Sequence, residues 1–446
     1  MLAALVLAGC RRDSAASKAG PVSAHETMKV GALSFVEDSY EQARDEARRR
    51  GVPLFIDAWA PWCHTCLSLR SFVLSDPALA PYAEKFVWLS VDTEKAQNAA
   101  FLRQFPVDSW PTLWVVDART ERAVQRWPGS LTLAELRDVL DDGAAAVAGQ
   151  GDSGDALGLL IKAERDAAEG KDEAARKGFE AALAAAPDSW PRRPRAVDGW
   201  VTSLHRSGQH ERAADEAARL GPGLPGGTSR ANVALYGLMS EQALDEAKQA
   251  TRREQRKRAL GVVEAIARDE TQPMLADDRS SLYEEAIEAH TSDGDAAGAG
   301  QLADAWVAYL ERQAAQAPTP AARRVFDAHL MVGYLHQHAF DKALTMLERS
   351  EREQPDDYNH AARIARVQLD AGRLPEARVA IDRSLTLAYG PRRLRLYDLK
   401  ARILERSGDP AAARAARQQG VTEGEAMHLE GKQATPLNAL KAKLAR

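Results

Sequence analysis

From residue 153 onward small residues return at a fixed step, and that period constrains the fold more than any other feature of the chain. Ala343 and Ala377 stand 34 residues apart, and Ala413 follows 36 residues later. Gly372 and Gly408 precede the second and third of these alanines. Gly170 likewise precedes Ala175, Phe179, Ala182 and Pro187; Gly208 precedes Ala213, Ala217 and Leu220; Gly294 precedes Ala299, Ala303 and Trp306. Small residues let two antiparallel helices approach closely, and a turn glycine permits the reversal. Each such pair leaves an apolar face that only the next pair covers, so the pattern predicts a stacked all-α solenoid over 153–430. About six units are expected, two before and four after an off-period stretch at 228–280. A helical bundle without repeats is the plainer alternative.

Composition agrees with a helical second half. Aromatic residues thin out after residue 130, where Ala, Arg, Glu and Leu take over. At 446 residues the chain exceeds one typical domain. A net charge of −5 gives no attraction to nucleic acid.

The first third reads differently. Pro53 to Ala58 is a short apolar run with the character of a buried strand, and Leu67 to Val73 has helical spacing. Between them stands WAPWCHTC, holding two of the three cysteines, Cys63 and Cys66. Cys63 therefore falls on the first turn of a helix, where free N–H groups and the helix dipole favour a thiolate. Cys66 lies one turn on, within reach of a disulfide. A zinc ribbon needs a second ligand pair, and no cysteine follows Cys66. No metal and no small-molecule cofactor is expected. Further strands are expected at 86–91, 113–116 and 123–127, with helices at 39–50, 97–104 and 131–140, which together describe a small α/β sandwich.

Residues 34–145 resemble a thioredoxin-fold domain, on the order of elements, Trp62-Cys63-His64-Thr65-Cys66, Trp59, Asp57 on the preceding strand, and Pro111-Thr112 before the third strand. The region looks closest to periplasmic thiol–disulfide interchange modules, with Ser75-Asp76-Pro77 after the helix. The resemblance implies that Cys63 attacks a substrate disulfide and Cys66 resolves the mixed disulfide. It implies that Pro111 is cis beside the cysteines and that Asp57 assists proton transfer from Cys66. Trp62, His64, Thr65 and Trp110 would line the substrate groove. The dipeptide His64-Thr65 departs from Gly-Pro of reducing thioredoxins, and Trp110 stands where a small or aliphatic residue is common. Both departures leave the direction of electron flow open. The repeats resemble the tetratricopeptide repeat (TPR), which implies a concave face that binds a protein or peptide.

Leu7-Ala8-Gly9-Cys10 resembles the lipobox of bacterial lipoproteins, although no Lys or Arg precedes the apolar run. The expected organisation is a signal remnant at 1–10 with lipidation on Cys10, a flexible tether at 11–33, the thioredoxin-like domain at 34–145, the solenoid at 153–430 and a tail at 431–446. This would place the protein on the periplasmic side of the envelope, held to a membrane by lipid. The leading reading is a thiol–disulfide oxidoreductase whose partners are thiol or disulfide proteins and a redox partner. Two rivals stay open, a thioredoxin–TPR holdase chaperone and an assembly scaffold with secondary redox activity. The neighbouring His329, His336 and His338 read as a solvated helix face, and the cluster Pro191 to Arg195 as a loop between repeats.

Overall fold

A computed structural model of the chain describes residues 27–150 and 154–445. Cys10 and its lipobox lie outside the described residues. The N-terminal domain is built on one six-stranded sheet: β1 (Thr27–Val30), β2 (Leu33–Glu37), β3 (Leu54–Trp59), β4 (Val87–Asp92), β5 (Thr112–Asp117) and β6 (Arg122–Pro128). Their spatial order is β1-β2-β4-β3-β5-β6. β3 runs parallel to β4 and antiparallel to β5, at the centre of the sheet. Four helices belong to this domain, α1 (Tyr40–Arg50), α2 (His64–Leu69), α3 (Ala99–Gln104) and α4 (Leu133–Ala145).

A central strand covered on both faces must be apolar on both, and β3 shows the alternation. Leu54, Ile56 and Ala58 pack with Tyr40, Phe101 and Trp114 on one face. Phe55 packs with Leu69, Trp88 and Leu136 on the other. Gly51 stops α1 in the left-handed conformation, φ +66°, which brings the chain into β3. Thr132 and Glu135 form a reciprocal capping box that starts α4. The sequence showed four strands; β1 and β2 add two at the edge. Thr27–Val30, counted above with the tether, is instead paired antiparallel with β2. Its alternation is short and half-exposed, which is why apolar patterning missed it.

The rest of the described chain is helical. The pairs are α5 (Ala156–Ala168) with α6 (Asp172–Ala185) and α7 (Arg193–Arg206) with α8 (His210–Leu220). Next, α9 (Thr228–Gln242) pairs with α11 (Arg253–Arg268), with the short α10 (Glu246–Thr251) in their turn. Then come α12 (Ala276–Ser292) with α13 (Ala296–Gln316), and α14 (Pro320–Arg324) leading into α15 (Asp327–His336) with α16 (Phe340–Glu353). Last are α17 (Tyr358–Asp370) with α18 (Leu374–Leu387), and α19 (Arg392–Arg406) with α20 (Pro410–Ala426), closed by α21 (Thr435–Leu444). That makes seven pairs among the described residues, one more than the period gave. The off-period stretch 228–280 contains the additional pair, hidden because α10 lengthens its turn. The tail at 431–446 carries α21, whose Leu437 and Leu440 are buried against Leu394 and Val421.

Turn glycines take the positive φ that the reversal needs: Gly170, Gly208, Gly294, Gly372 and Gly408 lie between +72° and +79°. The α15–α16 turn puts His338 in that position, at φ +54°. A side chain there is strained where glycine is not. His338→Gly is therefore expected to raise stability by about 0.5–1 kcal/mol, read as a shift of the urea midpoint at unchanged slope.

Candidate active site

Cys63 and Cys66 close a disulfide at the point where β3 gives way to α2. Cys63 is the N-cap residue of α2, and its sulfur accepts a hydrogen bond from the Cys66 backbone N–H at 3.0 Å. The same N–H would stabilise a Cys63 thiolate after reduction. Cys66 is fully buried and Cys63 is 4% exposed. The Trp110–Pro111 peptide is cis. Trp62 and Trp110 stand with ring centroids 5.1 Å apart, and both pack on the cysteines. Trp110 is fixed by donating from its indole N–H to Thr93 Oγ1 at 2.8 Å, and Trp62 donates to Glu94 Oε1 at 2.8 Å.

Asp57 is buried on β3, and its pKa is raised by that burial although Arg70 pairs with it at 3.0 Å. Arg70 stands four residues after Cys66, on the same helical face, so Asp57 lies beneath that face. Arg70 also donates to Ser90 Oγ and lies 3.7 Å from the Trp59 ring centre. One oxygen of Asp57, Oδ1, has no hydrogen-bond partner.

The solenoid docks on this same end of the domain. Asp277 at the start of α12 is 4% exposed and receives two imidazoles on one oxygen. His64 Nδ1 lies 2.5 Å from its Oδ1, and His329 Nε2 of α15 lies 3.1 Å from the same atom. His329 Nδ1 meets Glu284 at 3.2 Å. Thr65 Oγ1 donates to Asp277 Oδ1 at 3.5 Å. Beside this cluster, Asn359 of α17 donates to the Pro61 carbonyl at 3.1 Å, two residues before Cys63. Tyr389 donates to Asp92 at 2.6 Å, and the backbone N–H of Arg392 donates to Glu94 Oε2 at 2.6 Å. The Arg392 guanidinium lies 5.1 Å from the Trp62 ring centre. On the far flank Asp142 of α4 accepts from Arg192 and Arg195, and Glu164 of α5 pairs with Arg195 as well.

Two sequence expectations change here. His329 is not on a solvated face; it is buried and bound to two carboxylates. Arg195 is not in a loop; it sits in α7 as a buried counter-charge, with α7 starting at Arg193. Spacing along the chain did not show either role, because the partners are 52 and 53 residues away. Asp277, Asn359 and Arg392 were missed for the same reason. His64, Asp277 and His329 bring possible ligand atoms within 4.8 Å of one another. Hydrogen bonds account for that convergence, with Asp277 between the imidazoles and Glu284 on the far side of His329.

Residues 40–144 match the thioredoxin-like domain family. The N-terminal domain is thioredoxin-like. Protein disulfide-isomerase 1 of Dictyostelium discoideum is 29% identical over 92 residues, 20% of this chain and 25% of that protein. The thiol:disulfide interchange protein DsbD of Citrobacter koseri is 33% identical over 84 residues, 18% of this chain and 14% of that protein. The chain thus spans a quarter or less of the length of these two relatives. Among solved structures, a tetratricopeptide repeat protein from Parabacteroides merdae aligns over 64% of this chain and 98% of its own, with 14% identity and a TM-score of 0.40. The TPR-like solenoid is defined here by its own helix pairs and by their step of 34 and 36 residues.

The thioredoxin-like domain and the solenoid share a charge clamp whose members titrate in opposite directions. Burial and the nearby His329 push the His64 pKa down, and the Arg363 charge acts the same way. Burial also opposes charge on His329, but its bonds to Asp277 and Glu284 outweigh it and raise its pKa to about 9. Asp277 is held well below the usual carboxylate range by the two histidines despite its burial. A raised histidine stabilises fully below its unfolded value near 6.5, and that contribution is lost as pH rises through about 9. A lowered histidine loses stability as pH falls below 6.5. The expected profile is a maximum near pH 6.5, with an alkaline limb of at most on the order of 3 kcal/mol. Denaturation midpoints across pH 5–10 read it, and His329→Gln should flatten the alkaline limb.

Proposed function

We propose that this chain is a thiol–disulfide oxidoreductase of the cell envelope, anchored by lipid on Cys10, whose solenoid holds a protein partner at the redox end. The observation that carries the reading is the closed Cys63–Cys66 pair at the start of α2, packed by Trp62 and Trp110 and with the solenoid docked on the same end. A paired cysteine set at a helix N-terminus is the arrangement that thiolate chemistry needs. The match of residues 40–144 to the thioredoxin-like family supports it. The sequence LAGC supports the anchor and the compartment.

In the reducing direction the Cys63 thiolate attacks one sulfur of a substrate disulfide. The S–S bond breaks, and the departing substrate thiolate takes a proton. Cys66, deprotonated toward Asp57, then attacks the Cys63 sulfur and releases the second substrate thiol. Two electrons pass to the substrate, one proton comes from Cys66 and the other from solvent, and the Cys63–Cys66 bond re-forms. The reverse sequence donates a disulfide. Neither direction needs a cofactor. Trp62 and Trp110 pack on the cysteines and shape the approach to Cys63, whereas His64 and Thr65 turn to Asp277 in the seam with the solenoid.

The holdase or scaffold reading draws support from one feature, the burial of Cys63, which is 4% exposed beneath Trp62 and Trp110. Cysteine variants separate the readings. Cys66→Ser should accumulate mixed disulfides with envelope proteins through Cys63, visible on non-reducing gels and removed by dithiothreitol, while Cys63→Ser should not. A Cys66→Ser protein free of thiol-dependent adducts, together with a wild type that reduces no disulfide, leaves the binding-protein reading.

A further inference from the structure

The solenoid face that receives the thioredoxin-like domain continues into a basic groove. Helices α17, α19 and α21 enclose a cavity of about 470 Å³. Its walls carry Arg363, Arg366, Arg392, Arg395, Arg402 and Lys443, against a single acidic side chain, Asp398. Asp398 is already engaged by Lys443 at 2.7 Å and Arg417 at 3.6 Å, and Arg366 by Asp370 at 2.7 Å. Among the described residues, Arg363, Arg395 and Arg402 have no salt-bridge or hydrogen-bond partner. Arg392 is more exceptional. Its backbone N–H is bonded to Glu94, yet its side-chain Nε is sealed from solvent with no partner. Burial and the repulsion of Arg395 and Arg363 lower its pKa.

Like charges gathered in a concave wall repel one another and raise the local potential for an anion. A buried guanidinium donor without an acceptor is costly for the free protein, and an incoming carboxylate removes that cost. The volume is that of a ligand site rather than a packing defect. The layout also selects the shape of the ligand. Arg392, Arg395 and Arg402 span ten residues of α19, about 15 Å along the helix. That is the reach of about five extended residues and too long for one small anion. One end of the row touches the redox centre, where Arg392 covers Trp62 and Asn359 holds the Pro61 carbonyl.

We propose that this groove binds an acidic, extended stretch of the substrate protein next to the disulfide presented to Cys63, and so makes the enzyme selective for acidic clients. The proposal rests on the oxidoreductase reading for its catalytic consequence and on the groove alone for its binding consequence.

The test uses the full chain and two disulfide-linked peptides, identical except that three glutamates beside the cysteine in one are glutamines in the other. At low salt, kcat/KM for the glutamate peptide should exceed that for the glutamine peptide about tenfold, and the ratio should shrink as salt is added. In Arg395→Glu/Arg402→Glu, two exposed positions, the ratio should fall to near one. Fluorescence anisotropy of the glutamate peptide, with serines for cysteines and a fluorescein label, reads the groove without any chemistry. Saturable binding lost in the double variant supports the proposal. Equal kcat/KM for both peptides, no saturable binding, or binding that survives the double variant overturns it. Displacement by inorganic phosphate at equal charge concentration also overturns it, because the site would then take a small anion. Hydroxyethyl disulfide, uncharged and too small to reach the groove, reports on the oxidoreductase reading separately: wild type that cannot turn it over sinks that reading, while anisotropy still decides the groove.

Discussion

A carboxylate buried between two domains has to be paired, and Asp277 is the group on which this molecule closes. Removing it from water costs several kcal/mol unless cations or strong donors surround it. Its partners come from both sides: His64 from the thioredoxin-like domain and His329 from the solenoid. Neither domain alone supplies both. The clamp therefore does more than hold. It fixes one register, because a shift of a few ångströms would strand a buried charge. The other contacts across the seam are directional too, with Asn359 on Pro61, Tyr389 on Asp92, and Ser130 on Asp278. A seam made this way specifies orientation first and adds stability second.

That orientation places the solenoid beside the disulfide, on Pro61, Trp62 and His64. A close backbone approach is made by Gly390, which has φ +63° and where a Cβ would stand 2.2 Å from the Glu94 carbonyl oxygen. Glycine is needed there on both counts, conformation and space. The consequence reaches the chemistry through Glu94, which accepts from Trp62 on one oxygen and from the Arg392 backbone on the other. The indole beside Cys63 is thus positioned by a carboxylate that the solenoid itself caps. Burial raises the Glu94 pKa, and these two donors oppose the rise.

What the sequence made legible follows from the range of the forces involved. The β3–Cys63–α2 junction is local: an apolar run, a capping cysteine and a helical period lie within about twenty residues, and each could be read. Solenoid turns are local as well, since a glycine at positive φ and a small residue five positions later recur in five of the seven pairs. The pair at 228–268 escaped because α10 stretches its turn, and the α15–α16 turn was disguised by His338 in place of glycine. The seam was not legible at all. Asp277 reads as an ordinary acidic residue in the first turn of a helix, which is where such residues are favoured. Its function comes from His64, 213 residues away. Arg195 in the same way looked like a loop arginine until Asp142 and Glu164 surrounded it.

The distribution of the seam along the solenoid limits how the disulfide can be uncovered. Contacts with the thioredoxin-like domain begin at α5, which packs against β6, and continue at Arg192 and Arg195 in the second helix pair. They continue through Asp277, His329 and Asn359, and end at Arg392 in the seventh pair and Gln433 beyond it. Phe72 and Phe326 add an apolar contact midway, with ring centroids 5.8 Å apart. A domain held at both ends of a curved array is not released by one hinge between the domains, because a rotation that frees one end drives the other inward. Release has to come from a change of curvature spread over the stacked pairs. Helical repeats permit this, since each contacts only its neighbours and a small rotation per interface sums along the array. The contacts near α7 are buried charge pairs that are costly to open, whereas those at Tyr389, Arg392 and Gln433 are single hydrogen bonds at half-buried positions. Trp62 belongs to the weaker end, with its indole bonded to Glu94 and its ring faced by Arg392, so the seam contacts nearest the disulfide are single hydrogen bonds, at the end where the basic groove also opens.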